Sequence, residues 1–225
     1  MGRRWIGATI AAMAAASGAP AAARSSSGVI VTGGETAAPP PAPTGFTASF
    51  VPPARDAAGY LTPGRGLGSA ATAWQLSVAL AVAARECRGD GAAAIVAAYD
   101  ALLTTERAAV AAASAGTVAG YKAQYGVAWR ARLDEDTARL RAFWGEPAVH
   151  DAFCAAADTV LRDAAVTEPS AFGPFAAAAL PRLEQPFLAF FAAVDRYRAD
   201  LAAWRAAHAP QVAFAAVPTP GTPAR

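Results

Sequence analysis

The sequence predicts an all-α protein, a helix bundle of five or six helices with a disordered linker before it and a disordered tail after it. Alanine, the best helix former, supplies about three residues in ten. The β-branched and aromatic runs that strands favour are nearly absent after residues 29–31. Large apolar side chains recur at intervals of three and four residues through the middle of the chain, which is the spacing of one helix face.

The first 23 residues have the order of a secretory signal peptide. Arg3 and Arg4 give a positive start, residues 6–16 are uncharged, and alanines at 21–23 supply the small residues that a signal peptidase recognises. This apolar stretch is shorter than the ~20 residues of a spanning helix, so we expect no transmembrane segment in the mature chain. We expect cleavage after Ala23 and a periplasmic or secreted protein, exported by the general or the twin-arginine route.

Cleavage also changes the charge balance of the protein. The full chain has 19 Lys+Arg against 17 Asp+Glu, and the loss of Arg3 and Arg4 leaves 17 of each sign. A near-neutral protein lacks the basic surface that binds nucleic acid or anionic lipid. We therefore expect no nucleic-acid partner.

Composition divides the rest of the chain into a linker, a domain and a tail. Residues 24–68 are rich in Pro, Gly and Ser, which is typical of a largely disordered linker. Phe46 and Phe50 are exceptions that allow its second half to lie against the domain. Residues 69–208 suffice for one helical bundle domain with a single core, and residues 209–225 form a disordered tail.

Hydrophobic spacing, caps and prolines predict where each helix begins and ends. We expect Ser69 to cap the first helix and Gly89 to follow its last turn. Three glycines weaken the region between the second and third helices, so these two are alternatively one long bent helix. The predicted helices run over about 69–88, 91–114, 117–143, 147–166, a short fifth from 168 that Pro174 and Pro181 interrupt, and 186–208.

The last predicted helix has the most regular apolar pattern. Its large apolar residues recur at spacings of three, four, three, four and three, which predicts a stripe that packs along a bundle at a shallow angle. They are Phe187, Phe190, Val194, Tyr197, Leu201 and Trp204.

Cys87 and Cys154 are the only two cysteines. In an exported protein an even number of cysteines favours a disulfide. Cys87 lies at the end of the first predicted helix and Cys154 near the start of the fourth, and these ends can be neighbours in an up-and-down bundle. The alternatives are two free buried thiols or a redox-active pair, which the absence of a C-x-x-C motif disfavours.

Motifs for catalysis, metals and nucleotides are weak. Glu146 and His150 share a helix face, but a di-iron bundle needs further Glu-x-x-His motifs that this chain lacks. We interpret His150 as a surface residue and His208 as favourably placed near a helix C-terminus. The glycines at 64–68 lack the Lys-Ser/Thr of a P-loop and are interpreted as a hinge. We predict no catalytic, cofactor-binding or metal residues and expect no cofactor.

Three aromatic residues, Tyr121, Tyr125 and Trp129, follow one another at intervals of four. Core packing is one interpretation of them. The other is a wall of an apolar pocket between helices, where bundles bind small ligands. Arginines on the same predicted helix would be available to an anionic group, and they are Arg130, Arg132, Arg139 and Arg141.

Several short segments between residues 60 and 205 carry a resemblance to other sequences. They are Tyr60-Leu61-Thr62-Pro63-Gly64-Arg65, Trp74, Leu80, Cys87-Arg88 and Phe153-Cys154. In these segments the chain resembles exported, alanine-rich helical proteins of high-GC Gram-negative bacteria. The resemblance implies the helical fold and the cysteine pair, and it implies no activity.

Taken together, these patterns favour a non-enzymatic periplasmic protein that binds a small ligand or another protein in the cell envelope. The absence of a nucleophile motif favours this over the first alternative, a hydrolase or other enzyme with an unrecognised site. The second alternative is a structural or adaptor protein whose proline-rich linker reaches across the envelope.

Overall fold

The computed structural model describes residues 37–168 and 171–209. The predicted signal peptide, the linker as far as residue 36 and the tail from residue 210 lie outside the described residues. From Ala38 onward the described residues belong to one compact unit.

Helices dominate the described residues, so the all-α prediction is confirmed. A two-residue hairpin, β1 (Arg55–Asp56) and β2 (Gly59–Tyr60), and two 3-10 helices, Gly126–Ala128 and Pro147–Val149, complete the regular structure there. No helix in this part of the chain is long and apolar enough to cross a membrane. The α-helices are α1 (Ser69–Glu86), α2 (Ala92–Thr105), α3 (Arg107–Tyr125), α4 (Trp129–Trp144), α5 (His150–Ala164) and α6 (Phe172–Ala207).

Helix α1 is the centre of the bundle. It packs against each of the other five α-helices in the described chain. Leu76, Ala79, Leu80 and Ala83 on this helix are completely buried. The leucines fill the space between helices, whereas the alanine methyl groups let neighbouring helices approach closely. Much of the core therefore forms around one short, alanine-rich helix.

The predicted N-cap of α1 is wrong by one residue. Gly68 occupies the N-cap position without a side-chain hydrogen bond, and Ser69 is the first helical residue. At the C-terminal end of α1, Gly89 lies two residues beyond the C-cap, Cys87. Gly89 has φ +90°, a left-handed backbone conformation that favours glycine.

The predicted boundaries of the second and third helices are also wrong. The chain breaks at Glu106, between α2 and α3, and again at Gly126, which has φ +54°. Gly116 and Gly120 lie inside α3 instead of interrupting it. A glycine within a helix costs about 1 kcal/mol relative to alanine, which tertiary packing can outweigh. Of Gly116, Gly120 and Gly126, only Gly126 has a backbone conformation that favours glycine.

The predicted fifth and sixth helices are one helix, α6, with Pro181 and Pro186 inside it. A proline removes one backbone hydrogen bond and disfavours the preceding turn, which is why the sequence predicts a break there. Packing outweighs that cost, because Leu180, Leu183 and Phe187 beside the two prolines are buried to 2 % exposure or less.

The predicted apolar stripe on α6 changes in burial along the helix. Phe187, Phe190 and Val194 are buried in the core. Tyr197 and Leu201, closer to the C-terminus, are half-buried. The stripe therefore contributes to the core mainly through its first half.

Residues 38–68, which we call the N-terminal strap, lie against the bundle. Phe46 meets the ring of Tyr197 edge-on with ring centres 5.2 Å apart. Phe50 meets Phe190 in the same way at 5.0 Å. The compact unit therefore includes residues before 69, where the sequence predicts the helical domain to begin.

A buried glutamate on α6 fixes the loop between β2 and α1. The Gly64 amide donates a hydrogen bond of 2.9 Å to Oε1 of Glu184. Gln75 Nε2 of α1 donates one of 2.9 Å to the Pro63 carbonyl. Burial raises the pKa of Glu184, and hydrogen bonds from Thr62 and Gly64 partly oppose that rise. A Cβ atom at position 64 would collide with the carboxylate, so this glycine serves close packing instead of the predicted hinge.

The predicted disulfide is confirmed. Cys87 and Cys154 are bonded, with their Cα atoms 5.8 Å apart, which is within the usual range for disulfides. Cys87 is the C-cap of α1 and Cys154 lies in the second turn of α5. The bond ties the end of the central helix to α5 and closes a loop of 67 residues.

Reduction of this disulfide is expected to lower the free energy of unfolding by about 4 kcal/mol, because the reduced unfolded chain regains the entropy of the open loop. Urea unfolding with and without dithiothreitol measures the difference. A double Cys→Ser variant at positions 87 and 154 serves as the control, since dithiothreitol should not change its stability. A loss below about 1 kcal/mol would show that the bond does not constrain the unfolded chain as expected.

Candidate ligand-binding groove

An open groove lies between the start of α1 and the second half of α3. We call it the α1–α3 groove, and its volume is about 490 Å³. That value lies within the range of small-molecule sites, roughly 300–1,000 Å³. The lining residues come from the end of the strap, from α1 and from α3: Leu67, Gly68, Ser69, Ala70, Ala71, Trp74, Gly116, Thr117, Gly120, Tyr121, Gln124 and Tyr125.

Two glycines on α3 determine where the groove opens. At Gly116 the helices nearly touch, because an added Cβ atom would lie 2.8 Å from the Cβ of Ala70. One turn later, at Gly120, an added Cβ atom would meet no atom within 4 Å. The helices are therefore in close contact at Gly116, and the space beside Gly120 is empty.

Aromatic side chains from both helices form the walls. Trp74 comes from α1, and Tyr121 and Tyr125 come from α3. The two tyrosine rings are tilted against each other with centres 5.5 Å apart. All three are half-buried, so part of each ring is accessible. Exposed ring faces of this kind favour an apolar, ring-containing ligand.

The hydroxyl of Tyr121 is held by α4. It donates a hydrogen bond of 2.9 Å to Oδ2 of Asp136. Burial, together with that hydrogen bond and the neighbouring carboxylate, raises the pKa of Tyr121 to about 12. The phenol therefore remains protonated and neutral at physiological pH, and it fixes the ring that forms the wall.

A buried hydroxyl lacks a partner in this groove. Thr117 is 6 % exposed. Its Oγ1 has no hydrogen-bond partner within the described structure. Buried polar atoms are nearly always hydrogen-bonded, and an unmade bond costs about 1–3 kcal/mol. Oγ1 itself has almost no exposed surface, so a ligand would satisfy it once the Thr117 side chain rotates toward the groove.

Charge is absent from the lining of the groove, since none of the lining residues is Asp, Glu, Lys, Arg or His. Three of the four predicted arginines of α4 have partners outside the lining, and Arg132 also lies over the ring of Tyr125, with Cζ 5.7 Å from the ring centre. Arg132 forms an ion pair with Glu135 at 2.6 Å, and Arg139 forms one with Asp136 at 2.9 Å. Arg130 stacks on the ring of Trp129 at 5.1 Å. The groove consequently favours a neutral ligand over an anionic one.

Two of the three aromatic residues predicted to form a pocket, Tyr121 and Tyr125, line the groove together. Trp129 does not line it. It is the first residue of α4, and its ring lies under Lys122 Nζ at 5.0 Å. A turn of 3-10 helix at Gly126–Ala128 separates α3 from α4, so Trp129 is not the next residue on the helix face of Tyr125.

Sequence reasoning missed Trp74, Thr117 and Gly120 as site residues. Trp74 appears in the sequence as one apolar position on a helix, and threonine and glycine within helices carry no signal of a cavity. The one available hint is the pair of glycines four residues apart, at positions 116 and 120, because residues at that spacing share a helix face.

The predicted weak metal pair has ordinary structural roles. The Glu146 side chain accepts a hydrogen bond of 3.2 Å from the Ala148 amide and so caps the following turn. His150 Nε2 lies 3.7 Å from Sγ of Cys154. No group of three or more His, Cys, Asp or Glu residues in the described part of the chain is arranged to hold a metal ion.

Comparisons with known proteins give no match: no protein-family model, curated protein or solved structure is similar to the chain.

The two glycines of α3 provide a matched test of how the groove is built. Gly120→Ala should raise the free energy of unfolding by about 0.5–1 kcal/mol, because alanine stabilises a helix interior and the site has room. Gly116→Ala should lower it by about 1 kcal/mol or more, because overpacking against Ala70 outweighs the same helix gain. Chemical unfolding measures both variants. Equal effects of the two substitutions would contradict the described contact.

Proposed function

We propose that this protein is a non-enzymatic binding protein of the cell envelope, and that it takes a small neutral ligand into the α1–α3 groove. The observation that carries the proposal is the buried, unpartnered hydroxyl of Thr117 in a groove with aromatic walls. A rotation of this side chain toward the groove would give the hydroxyl a partner on a ligand with one hydrogen-bonding group.

The lining of the groove determines the chemistry of the ligand. Trp74, Tyr121 and Tyr125 offer ring faces to a flat apolar body. Thr117 and Gln124 offer hydroxyl and amide groups that fix its orientation. A charged ligand would lose its hydration without meeting an opposite charge in the groove, and that loss is costly. The ligand is therefore a neutral molecule with an apolar ring and a polar group.

Binding is favoured over catalysis by the kinds of side chain in the groove. Hydroxyl, amide and aromatic groups orient a ligand, whereas proton transfer usually needs a histidine, a carboxylate or a similar group near the reacting atom. The tyrosine best placed for such a role, Tyr121, has a pKa of about 12 and is bonded to Asp136.

Two features outside the groove support the proposed location in the cell envelope. The Cys87–Cys154 disulfide is of a kind that persists in oxidising compartments. The first 23 residues have the signal-peptide order. The mass of the protein recovered from the periplasm tests this part of the proposal, because cleavage after Ala23 removes those residues. Recovery of the uncleaved chain from the cytoplasm alone would contradict it.

Titration with N-phenyl-1-naphthylamine, a neutral aromatic amine that fluoresces in apolar surroundings, tests binding in the groove. We expect saturable binding at one site, with energy transfer from nearby tryptophan side chains. Gly120→Leu should weaken it by at least about tenfold, equivalent to 1.4 kcal/mol, because the leucine fills the empty space. Thr117→Val should weaken it by about fivefold, since it removes one hydrogen bond of about 1 kcal/mol.

Gly91→Leu is the matched control for the groove variant. Gly91 also has no atom within 4 Å of an added Cβ, but it precedes α2, beyond the opposite end of α1 from the groove. This variant should bind the probe as the unaltered protein does. Binding that survives Gly120→Leu, or that falls equally in Gly91→Leu, would overturn the proposed site.

A further inference from the structure

A second buried polar group without a partner lies at the junction of α2 and α3. Glu106 is 4 % exposed. Its Oε2 has no hydrogen-bond partner in the described residues. Burial raises the pKa of this carboxyl group. A buried carboxylate normally requires a cation or several donors, and this one has an unfilled position.

Glu106 is one of the residues that line a small cavity. The volume of this cavity is about 140 Å³. A water molecule occupies ≈ 30 Å³ in the liquid, so the cavity has room for a few heavy atoms. Leu102 and four alanines supply apolar surface, and Thr105 and Thr167 supply the remaining polar side chains. None of the lining residues is a lysine, arginine or histidine that would neutralise Glu106.

The ends of three helices meet at the cavity. Helix α2 ends at Thr105 and helix α5 ends at Ala164, and both of these residues line the cavity. The C-terminal end of a helix carries partial negative charge and stabilises cations placed beside it. Two helix C-termini and one carboxylate therefore converge on the same space, and the N-terminus of α3, with the opposite partial charge, begins beside Glu106.

From this arrangement we propose that the cavity is a binding site for a small primary alkylammonium ion, its nitrogen beside Glu106 and its alkyl group against the alanines. An ammonium group offers three N–H donors. The Glu106 carboxylate accepts one of them when Oε2, which has almost no exposed surface, turns toward the cavity. Thr167 Oγ1 donates to the Asp163 carbonyl at 2.9 Å, which leaves its own oxygen free to accept another. The geometry does not suit a divalent metal, because Ca²⁺ and Mg²⁺ need about six oxygen ligands and a single carboxylate lines this cavity.

This site is separate from the α1–α3 groove. The two share no lining residue. The ammonium proposal therefore stands or falls independently of the proposed function.

The test uses the full chain at pH 7.5, with methylammonium chloride as the probe. Calorimetric titration should show saturable binding, and thermal unfolding should shift upward with probe concentration relative to KCl at equal ionic strength. Tetramethylammonium, which is bulkier and has no N–H donor, should give no effect. Glu106→Gln should weaken binding by at least about tenfold, because it removes a hydrogen bond to a charged group.

Two further variants keep the test decisive. Glu168→Gln alters an exposed carboxylate just beyond α5 and should leave binding unchanged. Ala101→Leu fills the cavity from α2 while retaining the carboxylate, so it should abolish binding even if Glu106→Gln folds poorly. The proposal is overturned if methylammonium gives no more than the KCl effect, or if Ala101→Leu binds as tightly as the unaltered protein.

Discussion

The close packing of α1 within the bundle is the constraint on which the rest of the structure depends. Ala79 and Ala83 have no exposed surface, and the helix meets α2 to α6 within 18 residues. A helix with so many neighbours needs small side chains where the neighbours approach and large ones between them. The chain meets both needs with alanine and leucine. The disulfide adds a covalent attachment at the end of this same helix.

The groove is a consequence of the same packing. Helix α3 lies against α1 where Ala70 faces Gly116, and an empty space remains at Gly120. The buried Glu184 of α6 holds the loop at Gly64 and so fixes the entry of the chain into α1. The helix that organises the core thereby presents Trp74 and the N-terminal turn to the groove in a fixed position. Stability and the candidate site therefore depend on one element.

The helical class and the cysteine pair could be predicted from the sequence. Apolar periodicity and the signal-peptide pattern can both be recognised in the order of the residues alone. The predicted helix boundaries were wrong where tertiary packing outweighed the local conformational preference of the residues. Pro181 and Pro186 predict a break in α6 that the buried residues beside them prevent. Glu106 looks like an ordinary helical residue, yet the chain breaks there. The groove was predictable only in part, since Tyr121 and Tyr125 follow a helix face, whereas the isolation of the Thr117 hydroxyl depends on the packing around it.

Hydrogen–deuterium exchange of the full chain, followed by mass spectrometry of its peptides, tests the central role of α1 most directly. Amides of residues 76–83, which include the completely buried positions of α1, should exchange only through global unfolding. Their protection factors should therefore correspond to the free energy of unfolding. Amides of α3, where only Ala113 and Thr117 are buried, should open more readily. Exchange in residues 76–83 as fast as that in α3 would contradict a bundle organised around α1.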